Sequence, residues 1–346
     1  MKRRHFLTTT AATAAVAVLP GCRKDASVVL RIYTWADYLA PDLAAKFEKQ
    51  NGCKLEIDTF DSNEAMYAKL TAGATGYDIL VPSSYMVKTL AHEYRLQSLD
   101  HAKLPNLKNV DADYLKHALD PEMIHSVPYM MAPTCLGWLA SKISKPVASY
   151  EMFDRTDLKG RITLLDDMRE VLGAALKSLG FSLNSKDAAQ LAKARDIAIR
   201  WKKNAAKFEN EQYKSGLASG EFYLVQGYAG DLLQVAAENK DIAVKIPSEG
   251  TAFSCDDLCI TKECRQADLA HKFIDFVTDP ENAVVNMDFI SYRAPNSAAY
   301  PLLPEEFRKN EALFPPPEVF AKCEAIDDLG NALALWSKTW DEVKAG

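Results

Sequence analysis

The residues best suited to chemistry in this 346-residue chain are carboxylates set among aromatic rings. The stretch "RIYTWADYLAP", residues 31–41, holds Tyr33, Trp35, Asp37 and Tyr38. Further along come Ser83, Ser84 and Tyr85, then Asp166 and Asp167, then Tyr228 and Asp231, and finally Asp256. No lysine belongs to this set, and Arg169 is the nearest cation to it. Acids and π-faces together suit an organic cation. An ammonium group is strongly hydrated, so a site must replace its water with charged acceptors and aromatic faces. A hydrogen bond from a charged amine to a carboxylate contributes about 1.5–3 kcal/mol. An aromatic face adds roughly 0.5–2 kcal/mol once water is excluded. Two separated carboxylate groups with aromatic walls between them select a chain carrying an amine at each end.

The same residues have plainer readings. Asp37 suits the N-terminus of a helix through the dipole, and Asp231 suits a helix cap. Asp166-Asp167 suits a turn, and each aromatic alone suits a core. Paired carboxylates also perform glycoside hydrolysis, so a secreted glycosidase is an alternative. The motifs of other hydrolases and nucleotide enzymes are missing: there is no G-x-S-x-G, H-E-x-x-H, Walker A or G-x-G-x-x-G. His92, His101, His117, His125 and His271 form no pair in the sequence. The chain therefore reads as a binder rather than an enzyme.

The elements that would position these residues alternate. "VVLRIYTW" predicts a strand, and "PDLAAKFEKQNG" a helix with Pro41 at its start and Gly52 past its end. "KLEIDTF" is a strand, "SNEAMYAKLTAGATG" a helix opened by Ser62 or Asn63, "YDILVPSS" a buried strand and "MVKTLAHEYR" a helix. This alternation implies right-handed crossovers and a parallel sheet. "HSVPYMMAPTCLGWLAS" changes the texture and reads as a crossing between lobes. The pattern then resumes: "GRITLLDD" is a strand, "MREVLGAALKSLG" and "KDAAQLAKARDIAIRWKKNA" are helices, and "SGEFYLVQGYAGD" is a strand entering a loop. "DIAVKIPSEGTAFSCDDLCIT" reads as a strand pair, and further helices end the chain. The acids and aromatics fall at predicted strand ends, where open α/β sheets bind ligands.

The N-terminus reads as an export signal. Lys2-Arg3-Arg4 is a basic start, "FLTTTAATAAVAVL" a short apolar run, and "LPGC" ends at Cys22. Leu-x-Gly-Cys resembles the lipobox of bacterial lipoproteins, which implies lipidation of Cys22, and Arg3-Arg4-x-Phe6-Leu7 resembles the twin-arginine export motif. Three of the 41 basic residues and none of the 47 acidic ones lie in residues 1–21, so removing that segment takes the net charge from −6 to about −9. Such a balance argues against nucleic acid and agrees with a cationic ligand. The other cysteines are Cys53, Cys135, Cys255, Cys259, Cys264 and Cys323. Their spacing lacks the C-x2-C pairs of structural zinc sites, so no metal is expected. On one strand Cys255 and Cys259 would stand roughly 13 Å apart, too far for a disulfide. Cys259 and Cys264 could meet across a turn, but most of the six are expected to be buried free thiols.

These same residues resemble the periplasmic substrate-binding proteins of polyamine (spermidine/putrescine) ABC importers. "YTWADYLAP" resembles the family's Tyr-x-Trp-[ST]-[DE]-Tyr opening. "DSNEAMYAKLTAGATGYDILVPSS", "LLDDMREVLGAALKSLG", "VQGYAGDLLQ", "EGTAFSCDDL" and "YRAPNSAA" follow in the family's order. The resemblance implies a two-lobed periplasmic-binding-protein fold of type II, α/β, with a mainly parallel sheet in each lobe and the ligand cleft between them. It implies a signal over 1–21, one lobe from 27–131 plus 256–300, and a second from 132–255 plus 301–346. The implied ligand contacts are Trp35, Asp37, Tyr38, Ser83, Tyr85, Asp167, Glu170, Tyr228, Asp231, Asp256 and Tyr292. An acid at the Asp256 position holds an amine, acids at the Glu170 and Asp37 positions serve other polar or amine groups, and Trp35, Tyr38 and Tyr228 hold the methylene chain. The implied partners are a polyamine and a membrane permease, with a lipid anchor at Cys22, an envelope location, a monomeric state and no cofactor. Tyr228 stands where the family usually has Trp, Ser254 where it has a large aromatic, Ile326 in place of a polar Gln and Ala36 in place of Ser or Thr. Asp231 resembles the putrescine type and Asp167 the spermidine type. The mixture leaves open which amine is bound, and another cation, amino-sugar or opine-like compound is the alternative ligand.

Overall fold

The computed structural model describes residues 28–60 and 62–346. The signal segment and Cys22 lie outside the described residues. The first unit follows the alternation read above. Strand β1 (Val28–Thr34) leads to α1 (Pro41–Asn51), β2 (Cys53–Thr59), α2 (Asn63–Thr71), β3 (Ile79–Leu80) and α3 (Ser84–His92). Pro41 opens α1, Asp42 lies in its first turn and Lys49 in its last, as the helix dipole favours. Gly52 closes α1 at φ 61°, a conformation that suits a residue without Cβ, and its N–H donates to the Glu48 carbonyl. Phe47, one turn beyond Leu43, is fully buried and meets Phe273 and Phe276 edge-on at 5.2 and 5.3 Å. Truncating such a ring to alanine costs about 3–5 kcal/mol. The Ser62 hydroxyl accepts from the Ala65 N–H and caps α2.

A short α4 (Ala112–Leu115) precedes the longest strand, β4 (Ser126–Leu139). The second unit runs through β5 (Ile162–Leu164), α5 (Met168–Ser178), α6 (Ala188–Lys202), β6 (Ala205–Phe208), α7 (Tyr213–Ser219), β7 (Leu224–Tyr228) and α8 (Ala229–Glu238). Then come β8 (Ile242–Lys245), β9 (Ala252–Ile260), α9 (Ala267–Val277), α10 (Pro280–Ile290), α11 (Glu305–Arg308), α12 (Pro317–Phe320), β10 (Glu324–Ala325) and α13 (Leu333–Ala345).

The strand order is β2-β1-β3-β9-β4-β7-β5-β6. β1 pairs in parallel with β2 and β3, and β5 in parallel with β6 and β7. β4 lies antiparallel to β9 as far as Pro133, to β7 from Thr134 onward and to β8 from Leu136. One strand thus belongs to two half-sheets. β8 and β9, read from the sequence as a strand pair, are not partners: each lies on its own half of β4. The third strand is also shorter than "YDILVPSS" implied, because only Ile79 and Leu80 enter the ladder before Pro82 removes a donor.

Each half-sheet has its own core. Leu30, Ile32, Phe47, Ile79, Val127, Leu258, Ile260 and Phe273 pack in one. Leu136, Ile162, Leu164, Leu172, Leu191, Trp201, Leu224 and Trp336 pack in the other. Helix α13 closes the second core by packing on α6 and α5. The six described cysteines are free, and five are buried. No described helix is long and apolar enough to cross a membrane.

Candidate functional site

The loops that leave β1, β3, β5 and β7 at their carboxyl ends carry most of the acids and aromatics singled out above. Asp256 anchors one end. It sits in β9, 6% exposed. The Tyr38 hydroxyl donates to its Oδ2 at 2.6 Å and the Ser83 hydroxyl to its Oδ1 at 2.7 Å. Ser83 is fixed in turn by Asn63, whose amide donates to the Ser83 Oγ and whose Oδ1 accepts from the Ser83 N–H, both at 3.0 Å. Burial pushes the Asp256 carboxyl up to about 6, against the opposing influence of Ser83, Tyr38 and the Trp35 indole. The Trp35 N–H lies near Asp256 without reaching hydrogen-bond geometry to any described residue, and the ring packs on Phe60 at 4.5 Å. Asp257, next on the strand, faces the opposite side of the sheet and meets Ser126.

The other end is acidic as well. Asp167 caps α5, and its Oδ1 accepts from the Arg169 N–H at 2.7 Å and the Glu170 N–H at 3.1 Å. Burial raises its carboxyl despite those bonds. Glu170 is 5% exposed, and its Oε2 accepts from the Thr134 hydroxyl at 2.7 Å. Burial, and then the charge of Asp167, push it up to about 8. Arg169 does not neutralise this pair by direct contact. Its guanidinium reaches away to the Asp327 carbonyl at 2.7 Å and Asn184 Oδ1 at 2.6 Å, and lies over Trp336 at 4.9 Å.

Tyrosines join the two ends. Burial, then the charges of Glu170 and Asp167, hold the Tyr228 phenol far from ionising, with Tyr292 and Tyr85 also close enough to act on it. Tyr292 meets Tyr38 edge-on at 6.0 Å and feels both Asp231 and Asp256. Tyr85 donates to Glu64 Oε1 at 3.0 Å and lies near Asp167. The units are in contact here: Tyr292, after α10, covers Gly230 of α8 so closely that a Cβ there would stand 1.8 Å from its Cε1.

Trp35, Tyr38, Ser83, Tyr85, Asp167, Glu170, Tyr228, Asp256 and Tyr292 therefore share one region. Asp37 stands apart from it, while Asp231 borders it beside Tyr292 but is engaged elsewhere. Asp37 is exposed in a turn at φ 53°, with no side-chain hydrogen bond or ion pair among the described residues. Asp231 does not cap α8. It is already engaged by the Tyr213 hydroxyl and by Lys214, whose ammonium lies 3.2 Å from its Oδ1. Asp166 pairs with Lys344 at the surface. The sequence reading missed Glu64, Asn63 and Thr134. Glu64 looks like an ordinary first-turn acid, and Thr134 is one polar residue in an apolar strand.

A protein with two half-sheets joined through a shared strand, and with ligand-type residues gathered at the strand ends between them, is a two-lobed binding protein. Residues 42–315 match the model of the bacterial extracellular solute-binding proteins, and the chain belongs to that family. Among its relatives, a putrescine/cadaverine-binding protein of Pseudomonas aeruginosa is 33% identical over 91% of this chain and 93% of its own length. The spermidine/putrescine-binding periplasmic protein of Escherichia coli is 32% identical over 99% of this chain and 98% of its own. The crystal structure of the spermidine/putrescine ABC transporter substrate-binding protein PotD of Streptococcus pneumoniae superposes with a TM-score of 0.86 at 31% identity, covering 92% of this chain and 99% of that one. These relatives bind and carry solutes; they are not enzymes.

Proposed function

We propose that this protein is the polyamine-capturing component of an ABC importer, held in the cell envelope by a lipid on Cys22 and delivering its ligand to a membrane permease. The observation that carries the reading is the pairing of Asp256 with the Asp167–Glu170 acids across Tyr228, Tyr292 and Tyr38. One ammonium sits against Asp256, a second against Asp167 and Glu170, and the methylene chain runs over the rings. Ser83 and Tyr38 leave Asp256 a lone pair for the ligand, and Glu64 adds charge beside Tyr85. Trp35 supplies the wall behind Asp256. Asp37 contributes long-range attraction at most, because it is exposed and screened. The names of the relatives support the ligand class, and the export signal supports the location. The lobes divide within β4 near Pro133 and Thr134, and each closes on the ligand as a unit. The protein works as a monomer, and export by the twin-arginine route would deliver it folded.

Titration calorimetry with putrescine, cadaverine and spermidine tests this. Saturable heat with a diamine or triamine is expected, together with a raised melting temperature. No heat and no thermal shift with any of them at about 1 mM would overturn it. A second reading, another organic cation, rests on Ser254 and Ile326, which line a small hollow beside Ser83 and Tyr85 where the spermidine-type pattern has an aromatic and a Gln. A thermal shift with an amino-sugar or opine-like amine, and none with polyamines, would favour it.

A further inference from the structure

Tyr292 is held along the chain from both sides. Before it, Ser291 leaves α10 at φ 62°, with its N–H donating to the Met287 carbonyl at 2.8 Å. After it, the Arg293 carbonyl accepts from the Met131 N–H of β4, also at 2.8 Å. The Arg293 side chain is fixed as well. Its Nη2 donates to Asp111 Oδ2 at 2.7 Å, and the two side chains are only 12% and 11% exposed. Its Nε donates to the Tyr300 hydroxyl at 2.9 Å, and that hydroxyl donates to the same Asp111 oxygen at 2.8 Å. The guanidinium lies over the rings of Tyr300 and Phe314 at 4.8 and 4.7 Å. Asp111 is anchored in turn: its Oδ1 accepts from the Asp113 N–H at 2.9 Å at the start of α4, and its own N–H donates to the Pro295 carbonyl. The residue between these fixed points is the ring that meets Tyr38 edge-on and covers Gly230 of the other unit.

We infer that Arg293, locked on Asp111, is a positioning residue for ligand capture: it holds the backbone that carries Tyr292, and so fixes the ring on which the two units close. The inference rests on the polyamine reading above. A planar peptide leaves only two soft dihedrals per residue, so pinning both neighbours of Tyr292 leaves its Cα little freedom. The pair is mostly withdrawn from water, and its bonds are charge-assisted, so it keeps its geometry where an exposed pair would not. A ring allowed to drift would lose its seal on Gly230 and its contact with Tyr38, and water would reach the methylene chain. Arg293 thus acts on affinity through Tyr292, without touching the ligand.

Calorimetry with putrescine, beside thermal melts, tests it on the wild type, Asp111→Asn/Arg293→Met, Tyr292→Leu and the combination of all three substitutions. Replacing both partners avoids leaving a buried charge unpaired. The double variant should bind putrescine about tenfold more weakly at a temperature where it is fully folded. A pair that serves stability alone would lower the melting temperature and leave that affinity unchanged. On top of Tyr292→Leu, the same double substitution should cost less than about threefold, because the ring through which it acts is gone. Arg293→Lys, which returns a cation to Asp111, should bind within about threefold of the wild type. Should the double variant fail to fold, Tyr300→Phe decides in its place: it removes only the bridging hydroxyl, and about a threefold loss is expected. Wild-type affinity in whichever of these two variants folds, or a full tenfold loss repeated on top of Tyr292→Leu, overturns the proposal while the polyamine reading stands. No heat with putrescine, cadaverine or spermidine in the wild type overturns both.

Discussion

The Tyr38 hydroxyl donates to the Asp256 carboxylate at 2.6 Å, across 218 residues of chain. That bond joins the turn after β1 to the late strand β9, and it orients a carboxylate that is almost entirely withdrawn from water. Asp256→Asn should keep the fold, since the amide oxygen can still accept from one of the two hydroxyls and its NH2 can donate to the other. It should weaken amine binding by about 2–4 kcal/mol through loss of the charge. Calorimetry on the folded variant, verified by circular dichroism, reads the change; a loss under threefold would remove Asp256 from the binding set.

Glu170 gives a pH dependence. Its carboxyl is pushed up to about 8, so the ligand-free protein holds a proton there at neutral pH. An amine needs the ionised form, so binding should release close to one proton at pH 7. Affinity should rise from pH 6 to pH 8.5. Calorimetry in buffers of different ionisation enthalpy counts the protons.

The same group acts on stability in the opposite sense. A carboxyl whose folded-state value is raised binds more protons folded than unfolded, so its contribution is fully present below about pH 4 and is lost as pH rises toward 8. Glu170→Gln should therefore raise the ligand-free melting temperature at pH 8, by an amount corresponding to about 1–3 kcal/mol, with much less effect at pH 4.5. It should also abolish tight binding. Thermal melts at the two pH values settle the sign.

Gly230→Ala separates closure from folding. Within α8 alanine is favoured by roughly 0.5–1 kcal/mol. Its Cβ would stand 1.8 Å from Tyr292 Cε1, a distance that pushes the ring away and holds the units apart. Ligand affinity should fall at least about tenfold while the melting temperature of the free protein holds or rises. Small-angle scattering with ligand present should show a larger radius of gyration than the wild type.

Lys88 of α3 and Asp327, beyond β10, form a 3.0 Å ion pair between groups 54% and 41% exposed. Exposed pairs contribute about 0–1 kcal/mol. Lys88→Met should change affinity less than threefold, and raising salt should erase even that difference.

Much of this was legible in the sequence because it is local. Pro41 and Gly52 bracket α1, Ser62 caps α2, and Asp167 lies where a strand hands over to a helix. Those signals concern a few neighbouring residues. What stayed hidden depends on chain brought from elsewhere. The Lys214–Asp231 pair lies 17 residues apart and is made by two helices packing. Glu64 carries the ordinary signature of a helix start, and only Tyr85 and Asp167 around it give it another setting. Asp37 comes from the motif resemblance, and a motif does not report that a turn at φ 53° leaves the side chain exposed. The placement of β8 and β9 on separate halves of β4 was invisible, since both strands share one hydrophobic texture.

β9 lies between β3 and β4, with Leu80 opposite Cys259 and Val127 opposite Leu258. The strands β1, β2 and β3 are complete by residue 80, yet their open edge waits for a partner that begins at Ala252. At the pace of synthesis, about 5–20 residues per second, that wait lasts of the order of ten seconds or more. During it the growing chain carries an uncovered apolar edge, the kind of surface on which other chains assemble. The first lobe is thus finished only after most of the second has been made, and a messenger cut short before β9 would yield a sticky fragment rather than a half-working receptor.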